Sequence, residues 1–187
     1  LFSIFLLGIT TPLLLICSLL IFLEDRGPIL YSQIRNGKNE RKMKIYKLRT
    51  MKIDAEKEGA LWAKKQDARI TKFGNLMRKS RIDELPQLWN VLIGEMSLIG
   101  PRPERPQFDE ILEVEIPYYK RRLDIRPGLS GWAQVNYPYG SSIKDSHKKL
   151  SFDLYYIKNF SFLLDLLIFI KTIRIVFTAK GSIPKND

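Results

Sequence analysis

The sequence predicts an α+β fold that is mainly helical, begins with a membrane helix and contains one small β-hairpin. Residues 1–23 carry no charge, whereas all 31 lysines and arginines follow them. Two short apolar runs flank an Asn-Gly pair, and several later segments repeat apolar residues at helical spacing. These observations divide the chain into a membrane segment, residues 1–23, and a basic domain, residues 24–187.

The N-terminal segment is long enough to cross a bilayer, because a helix rising about 1.5 Å per residue over residues 1–23 reaches roughly 34 Å. Thr11 and Pro12 lie at its centre. Pro12 removes a backbone hydrogen bond, and the Thr11 hydroxyl can bond to the carbonyl of Leu7. Both effects predict a sharp bend. A kinked spanning helix and a hairpin that re-enters on one face are both open on this evidence.

The basic domain is predicted to start with the β-hairpin, whose strands lie near 30–34 and 44–48 around the turn pair Asn36-Gly37. Helical spacing or charge pattern then predicts further helices at 54–66, 73–79, 108–115 and 145–159. A helix is also expected to begin near Asp83 and to run to Leu92, because Pro86 is tolerated only in a first turn.

Two stiff loops separate these helices. Residues 100–106 contain three prolines, which exclude both a helix and a central strand, so this proline loop should display Arg102 and Arg105 at defined angles. Residues 126–132 form a second loop that is punctuated by glycines and starts with Arg126.

A C-terminal amphipathic helix is predicted over about residues 160–179. Its apolar stripe repeats at spacings of three and four and consists of Leu163, Leu166, Ile170, Ile173 and Phe177. Lys171 and Arg174 lie at the margin of the stripe and can extend toward water. The helix therefore suits the headgroup layer of a membrane, and it equally suits a place in the core of the domain.

Composition excludes several classes of protein. The net charge of +11 fits anionic lipids, nucleic acid or phosphate-bearing substrates. The single cysteine, Cys17, excludes a disulfide framework and a Cys-based zinc site, and the single histidine, His147, argues against a His-rich metal site and a His-dependent triad. Glycine-rich nucleotide motifs and nucleic-acid reader motifs are missing from the sequence, so no nucleic-acid partner is predicted. Because the first residue is Leu, we expect a piece of a longer protein.

Asp83 and Glu84 are the candidate catalytic pair. They stand in the predicted first turn of a helix, where unpaired backbone N–H groups favour ionised carboxylates. Either side chain could act as a nucleophile, a base or a metal ligand. Ordinary capping chemistry is the alternative, since Ser80 followed by Asp83 resembles a capping box.

Basic residues on stiff elements make the catalytic interpretation more specific. A carboxylate that attacks or binds an anion needs cations nearby, and guanidinium groups on rigid supports suit phosphate binding. The candidates for substrate binding are Lys47, Arg49, Arg78, Arg102 and Arg126, with Arg81 beside the carboxylate pair.

Five segments, in this order, resemble the bacterial sugar transferase family, the monotopic phosphoglycosyl transferases. They are the Thr11-Pro12 break, Lys44-Ile-Tyr-Lys-Leu-Arg-Thr-Met51, Asp83-Glu84-Leu-Pro-Gln-Leu, Met96-Ser-Leu-Ile-Gly-Pro-Arg-Pro103 and Arg126-Pro-Gly-Leu-Ser-Gly-Trp-Ala-Gln-Val-Asn136. The resemblance covers nearly the whole chain. The continuation Glu104-Arg105-Pro106 and the segment after Asn136 are similar to the larger members. The Asn-Gly-Arg of smaller members is absent, so this chain lacks at that place the arginine that would help bind the nucleotide phosphates.

The resemblance implies transfer of a phospho-sugar from a UDP-sugar to undecaprenyl phosphate with release of UMP, at the start of exopolysaccharide, capsule, O-antigen or glycoprotein glycan assembly. Asp83 would be the nucleophile and would bind Mg²⁺, while Glu84 would orient or activate the polyprenyl phosphate. The N-terminal helix would be re-entrant at Thr11-Pro12. The protein would contact membrane lipids on the cytoplasmic face of the bacterial inner membrane, with UDP-glucose or UDP-galactose as an expected donor and a homo-oligomer left open.

Two rival functions remain at this stage. A basic peripheral protein could bind anionic lipid as a scaffold, with Asp83 and Glu84 acting as a cap only. An ordinary glycosyl transferase would release UDP, whereas the family resemblance requires UMP.

Overall fold

Helices dominate the computed structural model, which describes residues 2–57, 67–138, 140 and 142–178. The α-helices are α1 (Phe2–Glu24), α2 (Lys72–Ser80), α3 (Leu88–Leu92), α4 (Pro106–Glu115), α5 (Trp132–Asn136), α6 (Ile143–Lys158) and α7 (Phe162–Thr178). Short 3-10 helices cover Lys38–Glu40, Ile82–Gln87 and Tyr119–Leu123. The prediction of a mainly helical α+β fold is confirmed.

Two small sheets complete the described fold. Strand β1 (Leu30–Asn36) pairs antiparallel with β2 (Lys42–Leu48), as the Asn-Gly pair predicts. Strand β3 (Ser97–Ile99) pairs in parallel with β4 (Gly128–Ser130), which brings the proline loop beside the glycine loop. The close approach needs small residues, because a Cβ on Gly128 would lie 2.1 Å from the nitrogen of Gly100.

Helix α1 is continuous and contains Pro12. The Thr11 hydroxyl donates to the carbonyl of Leu7 at 2.6 Å, as the sequence predicts. Residues Ser3–Glu24 are long and apolar enough to cross a membrane, with a mean hydropathy of 2.5, and most of this helix is exposed. The structure does not show a hairpin at Thr11 and Pro12, so re-entry stays a prediction.

The last turns of α1 are anchored to the basic domain. Cys17 and Ile21 are buried against Leu48 of β2 and Met77 of α2. Because these four side chains form one apolar cluster, the end of the membrane segment has a fixed position relative to the strand and helix that lead to Asp83.

The prediction of one α-helix from Asp83 to Leu92 is wrong, because only Leu88–Leu92 is α-helical. Helix α2 ends at Ser80, Arg81 adopts a left-handed conformation with φ 59°, and a 3-10 helix follows before α3 begins at Leu88. Pro86 lacks the N–H that a regular α-helix at this position would use. The segment is therefore a tight turn that directs Asp83 inward.

Other helix predictions are confirmed with small shifts. Helices α2, α4 and α6 match the segments predicted at 73–79, 108–115 and 145–159, and α6 starts earlier because Ser142 and Asp145 form a capping box. For the helix predicted at 54–66, residues 54–57 form turns and residues 58–66 lie outside the described part of the chain.

The apolar stripe of α7 faces outward. Leu163, Leu166, Ile170 and Ile173 are 41–75% exposed, whereas Ile168 on the other face is fully buried. The side chain of Phe177, the fifth predicted member, lies outside the described residues. The interpretation of this stripe as a core face is wrong, because its members contact little of the domain.

Candidate active site

A cavity of about 390 Å³ lies between the β-hairpin, the 3-10 helix Ile82–Gln87, the proline loop and α6. Asp83 and Glu84 are among the residues that line it, and each is only 7% exposed. The fold therefore places the predicted pair in a concave, mostly desolvated site. Concave sites with a few convergent polar groups are the usual sites for small-molecule substrates.

Glu84 is held by cations from three separate elements. The ammonium of Lys47 on β2 donates to its Oε1 at 2.9 Å, and Arg102 of the proline loop donates to both carboxylate oxygens, with Nη1 3.2 Å from Oε2. Arg81 lies 3.6 Å from the same Oε2. Burial alone would raise the pKa of Glu84, but Arg102, Lys47 and Arg81 together hold it well below its usual range.

The pKa of Lys47 is also lowered, but in its case the shift disfavours the charged form. Burial lowers the pKa of its ammonium, and the neighbouring Glu84 carboxylate offsets part of that effect. Lys47 reaches Glu84 because residue 47 is an inward-facing position of β2, directly opposite Tyr31 in the hairpin register.

Asp83 has a different environment although it is the next residue. Burial, followed by the nearby charge of Glu84, raises the pKa of its carboxyl to about 6, against the lowering effect of Lys47, Arg78 and Arg81. Its Oδ1 atom is buried and has no hydrogen-bond partner. The sequence predicted that a helix terminus would favour the ionised form, and that prediction is wrong for Asp83 because desolvation dominates.

The capping alternative for Asp83 does not match the geometry. The Ser80 hydroxyl turns back and donates to the carbonyls of Leu76 and Met77 at 3.0 and 3.1 Å. The 3-10 helix begins after Arg81 and has no side-chain cap. Because neither half of the expected Ser80–Asp83 capping box forms, a structural cap does not explain the buried carboxylate.

Of the other predicted basic residues, Arg78 and Arg49 line the cavity and Arg126 does not. Arg78 lines the cavity, and its Nε donates to the Thr50 hydroxyl at 2.8 Å. Arg49 also lines the cavity, but its guanidinium donates to the carbonyl of Asp25 and lies 3.6 Å from that residue's carboxylate. Arg126 is exposed and is not among the described residues that line the cavity.

Arg105, which the proline loop was expected to display, belongs to a second polar network on the cavity wall, whose other members the sequence analysis missed. Glu56 pairs with Arg105 at 2.5 Å and accepts a hydrogen bond from the Tyr31 hydroxyl at 2.7 Å. Gln33 donates to that hydroxyl at 2.8 Å. These residues are distant in sequence, and only their alternate positions along β1 could have indicated that Tyr31 and Gln33 share a face.

Asp83 could supply one carboxylate ligand to a divalent cation. Among the described residues, no group of three or more His, Cys, Asp or Glu side chains is arranged to hold a metal. However, Mg²⁺ is commonly held by one or two carboxylates together with water and substrate phosphates. The buried and unpartnered Oδ1 of Asp83 is compatible with such a site.

Together, the fold and the site define a class of protein in which a long apolar helix is joined to a buried, cation-lined carboxylate site. An apolar helix is anchored beside a buried carboxylate pair, and cations from several elements surround that pair. The chain belongs to the bacterial sugar transferase family, whose model matches residues 1–179.

Curated relatives carry consistent names. The chain is 49% identical, over 92% of its length, to a UDP-N-acetylgalactosamine-undecaprenyl-phosphate N-acetylgalactosaminephosphotransferase of Aeromonas hydrophila. It is 57% identical, over 63% of its length, to a putative undecaprenyl-phosphate N-acetylgalactosaminyl 1-phosphate transferase of Bacillus subtilis. It is 39% identical, over 91% of its length, to a UDP-glucose:undecaprenyl-phosphate glucose-1-phosphate transferase of Caulobacter vibrioides. The chain spans 41%, 65% and 65% of these relatives, respectively.

Proposed function

We propose that this chain transfers a phospho-sugar from a UDP-sugar to undecaprenyl phosphate and releases UMP, as the first step in the assembly of a bacterial surface glycan. The observation that carries the proposal is the contrast within the carboxylate pair. Asp83 has an oxygen without a hydrogen-bond partner, whereas Glu84 is fully engaged by Lys47 and Arg102. The relatives' names support the choice of substrates.

In the first step, a carboxylate oxygen of Asp83 attacks the β-phosphorus of the UDP-sugar. A bond forms between that oxygen and phosphorus, and the bond to the oxygen that bridges the two phosphates breaks. UMP leaves with the bonding electrons, and a phospho-sugar remains attached to Asp83. Covalent catalysis of this kind divides one difficult displacement between two anions into two easier ones.

In the second step, a phosphate oxygen of undecaprenyl phosphate attacks the same phosphorus. The bond to Asp83 breaks and the free carboxylate is restored. The product is undecaprenyl diphospho-sugar, and every phosphate is conserved across the two steps.

Glu84 serves the reaction by holding its cations in place. A carboxylate with a strongly lowered pKa is a poor proton acceptor, so orientation suits Glu84 better than general-base catalysis. Through Glu84, the ammonium of Lys47 and the guanidinium of Arg102 lie beside Asp83, where they can stabilise negative charge on the transferred phosphate.

Mg²⁺ is the proposed cofactor, and Asp83 is the residue that would hold it. When bound, Mg²⁺ would neutralise charge on the diphosphate of the donor. Its proposed position rests on the buried Oδ1 of Asp83, which has no hydrogen-bond partner.

The membrane arrangement is part of the proposal. Helix α1 would enter and leave the cytoplasmic leaflet by bending at Thr11 and Pro12, and the exposed stripe of α7 would lie in the headgroup layer. The cavity would then face the leaflet in which undecaprenyl phosphate is anchored.

Product analysis tests the function. Purified protein with Mg²⁺, undecaprenyl phosphate and individual UDP-sugars should release UMP with at least one donor. The panel includes UDP-N-acetylgalactosamine and UDP-glucose, because the relatives' names divide between these two sugars. Release of UDP would instead identify an ordinary glycosyl transferase. Lipid binding without any nucleotide product would favour the scaffold.

A further inference from the structure

The proline loop is held through its backbone carbonyls. The carbonyl of Pro101 accepts from the N–H of Gly128 at 2.8 Å, and the carbonyl of Glu104 accepts from the N–H of Asn36 at 3.3 Å. Between them, the carbonyl of Pro103 accepts from Arg35 at 3.1 Å. Prolines have no N–H to donate, so carbonyl contacts are the main means of fixing such a loop.

The carbonyl of Arg102 has an unusual partner. It accepts from Nη2 of Arg122 at 2.6 Å, and Arg122 is a buried residue of the 3-10 helix Tyr119–Leu123. This contact reaches the backbone of the residue whose side chain clamps Glu84. Because Pro103 restricts the backbone of the preceding residue, the direction of this carbonyl is closely tied to the direction of the Arg102 side chain.

Arg122 is itself fixed by buried partners. Its Nη1 donates to the Tyr119 hydroxyl at 2.7 Å, and its Nη2 lies 3.1 Å from the carboxylate of Asp153 on α6. The Tyr119 hydroxyl in turn donates to Asp109 at 2.9 Å. A planar guanidinium with several donors can make these contacts simultaneously, which a lysine ammonium at the same position cannot reproduce.

We propose that Arg122 is a positioning residue, which fixes the backbone of Arg102 so that its guanidinium holds Glu84 beside Asp83. The inference rests on the proposed function for its catalytic consequence. The structural part, a proline loop whose orientation depends on Arg122, is testable without any turnover.

A double-mutant cycle tests the catalytic part. Arg122→Lys keeps a positive charge opposite Asp153 but loses the forked guanidinium that contacts several partners at once. The variant should lower kcat for UMP release about tenfold with little change in KM, because small displacements of catalytic groups are costly. In an Arg102→Ala background the same change should cost no more than about twofold, because the two residues act through one interaction. Fully additive losses would overturn the proposal.

The control is the neighbouring arginine. Arg121 is exposed and lies 3.5 Å from Asp124 on the surface, so Arg121→Lys should leave kcat, KM and stability unchanged. An equal loss from Arg121→Lys would show that the helix Tyr119–Leu123, and not the contact to Arg102, is responsible.

Amide hydrogen exchange tests the structural part in the full chain. Arg122→Lys should accelerate exchange at Asn36 and Gly128, whose N–H groups donate to carbonyls of the proline loop, by about tenfold or more, while amides of α2 keep their wild-type rates. If this variant does not fold, Arg122→Gln combined with Asp153→Asn removes both charges of the Arg122–Asp153 pair, while Asn36 and Tyr119 still donate to the nearby Asp109, and it should give the same local acceleration. Unchanged exchange at Asn36 and Gly128 overturns the inference whether or not the wild type releases UMP. A wild type that releases no UMP overturns the proposed function alone.

Discussion

At the scale of single residues, the site depends on how differently two neighbouring carboxylates are treated. Asp83 and Glu84 are equally buried, yet the pKa of Asp83 is raised to about 6 and the pKa of Glu84 is lowered. The difference arises because Arg102 and Lys47 bond to Glu84 directly, whereas Lys47 influences Asp83 only through space. Asp83 thus keeps an oxygen without a hydrogen-bond partner, whereas both oxygens of Glu84 are engaged by cations.

This contrast predicts opposite effects on stability. The pKa of Asp83 is higher in the folded chain than in the unfolded chain, so its ionisation destabilises the fold as pH rises through about 6. Asp83→Asn removes this cost and should raise the free energy of unfolding at pH 8 by about 2 kcal/mol. The gain should vanish below about pH 4, where the carboxyl is protonated in both states. Chemical denaturation of both proteins at the two pH values measures this difference.

Glu84→Gln is the matched control at the adjacent position. The pKa of Glu84 is lower in the folded chain, so its charge stabilises the protein at neutral pH, and this contribution is lost as pH falls below the usual carboxylate range. The variant should therefore be less stable than wild type at pH 8. Destabilisation by both variants would contradict the distinct environments of Asp83 and Glu84.

The sequence was sufficient to identify these residues but not their surroundings. Adjacent carboxylates and basic residues on stiff loops are visible in a linear pattern, and the structure brings Lys47, Arg78 and Arg102 to one cavity with the pair. The exposure of Arg126 and the engagement of Arg49 by Asp25 depend on how distant elements pack. Local pattern carries no information about such contacts.

At the scale of elements, the parallel pairing of β3 and β4 positions the proline loop. Gly128→Ala should lower the free energy of unfolding by about 2 kcal/mol or more, because the new Cβ would lie 2.1 Å from the backbone of Gly100 and no flexible side chain can give way. Gly8→Ala is the control, since a Cβ there meets no atom within 4 Å. Equal stability of the Gly128 variant and wild type would show that the close approach is not required.

Helix α1 supplies the second prediction at this scale. If the chain re-enters at Thr11 and Pro12, labels placed before Leu1 and after Glu24 will react from the same side of the membrane. The physical basis is the lost backbone bond at Pro12 and the Thr11 hydroxyl bonded to the carbonyl of Leu7. Labels that react from opposite sides would establish a spanning helix.

Element boundaries show where sequence reasoning fails. The β-hairpin and helix α6 follow from turn residues and periodicity that act locally. The break at Arg81 has no such signal, since a left-handed arginine is uncommon and depends on its neighbours in space. The parallel pair β3 and β4 is also non-local, as each strand spans three residues and lies far from its partner in sequence.

At the scale of the whole molecule, apolar surface and cationic cavity are combined in one domain. The exposed stripe of α7 and the exposed length of α1 suit lipid, while Ile168 and Cys17 secure both helices to the domain.

A fluorophore on Leu163→Cys should be quenched strongly by spin-labelled lipid in nanodiscs. The native Cys17 is buried, so labelling of the introduced thiol is selective.

Val114→Cys is the matched control for this experiment. Leu163 and Val114 are both exposed apolar side chains, at 75% and 84%, but Val114 belongs to α4 and not to the α7 stripe. The fluorophore at residue 114 should therefore be quenched little. Equal quenching at both positions would contradict the proposed orientation of the domain on the membrane.

The central claim is that Asp83 forms a covalent bond to the phospho-sugar, and intact-mass measurement tests it most directly. Wild-type protein incubated with Mg²⁺ and an accepted UDP-sugar, without lipid acceptor, should gain the mass of one phospho-sugar and should lose it when undecaprenyl phosphate is added. Asp83→Asn should gain nothing. A wild type that releases UMP in the complete reaction and never gains this mass would contradict the claim.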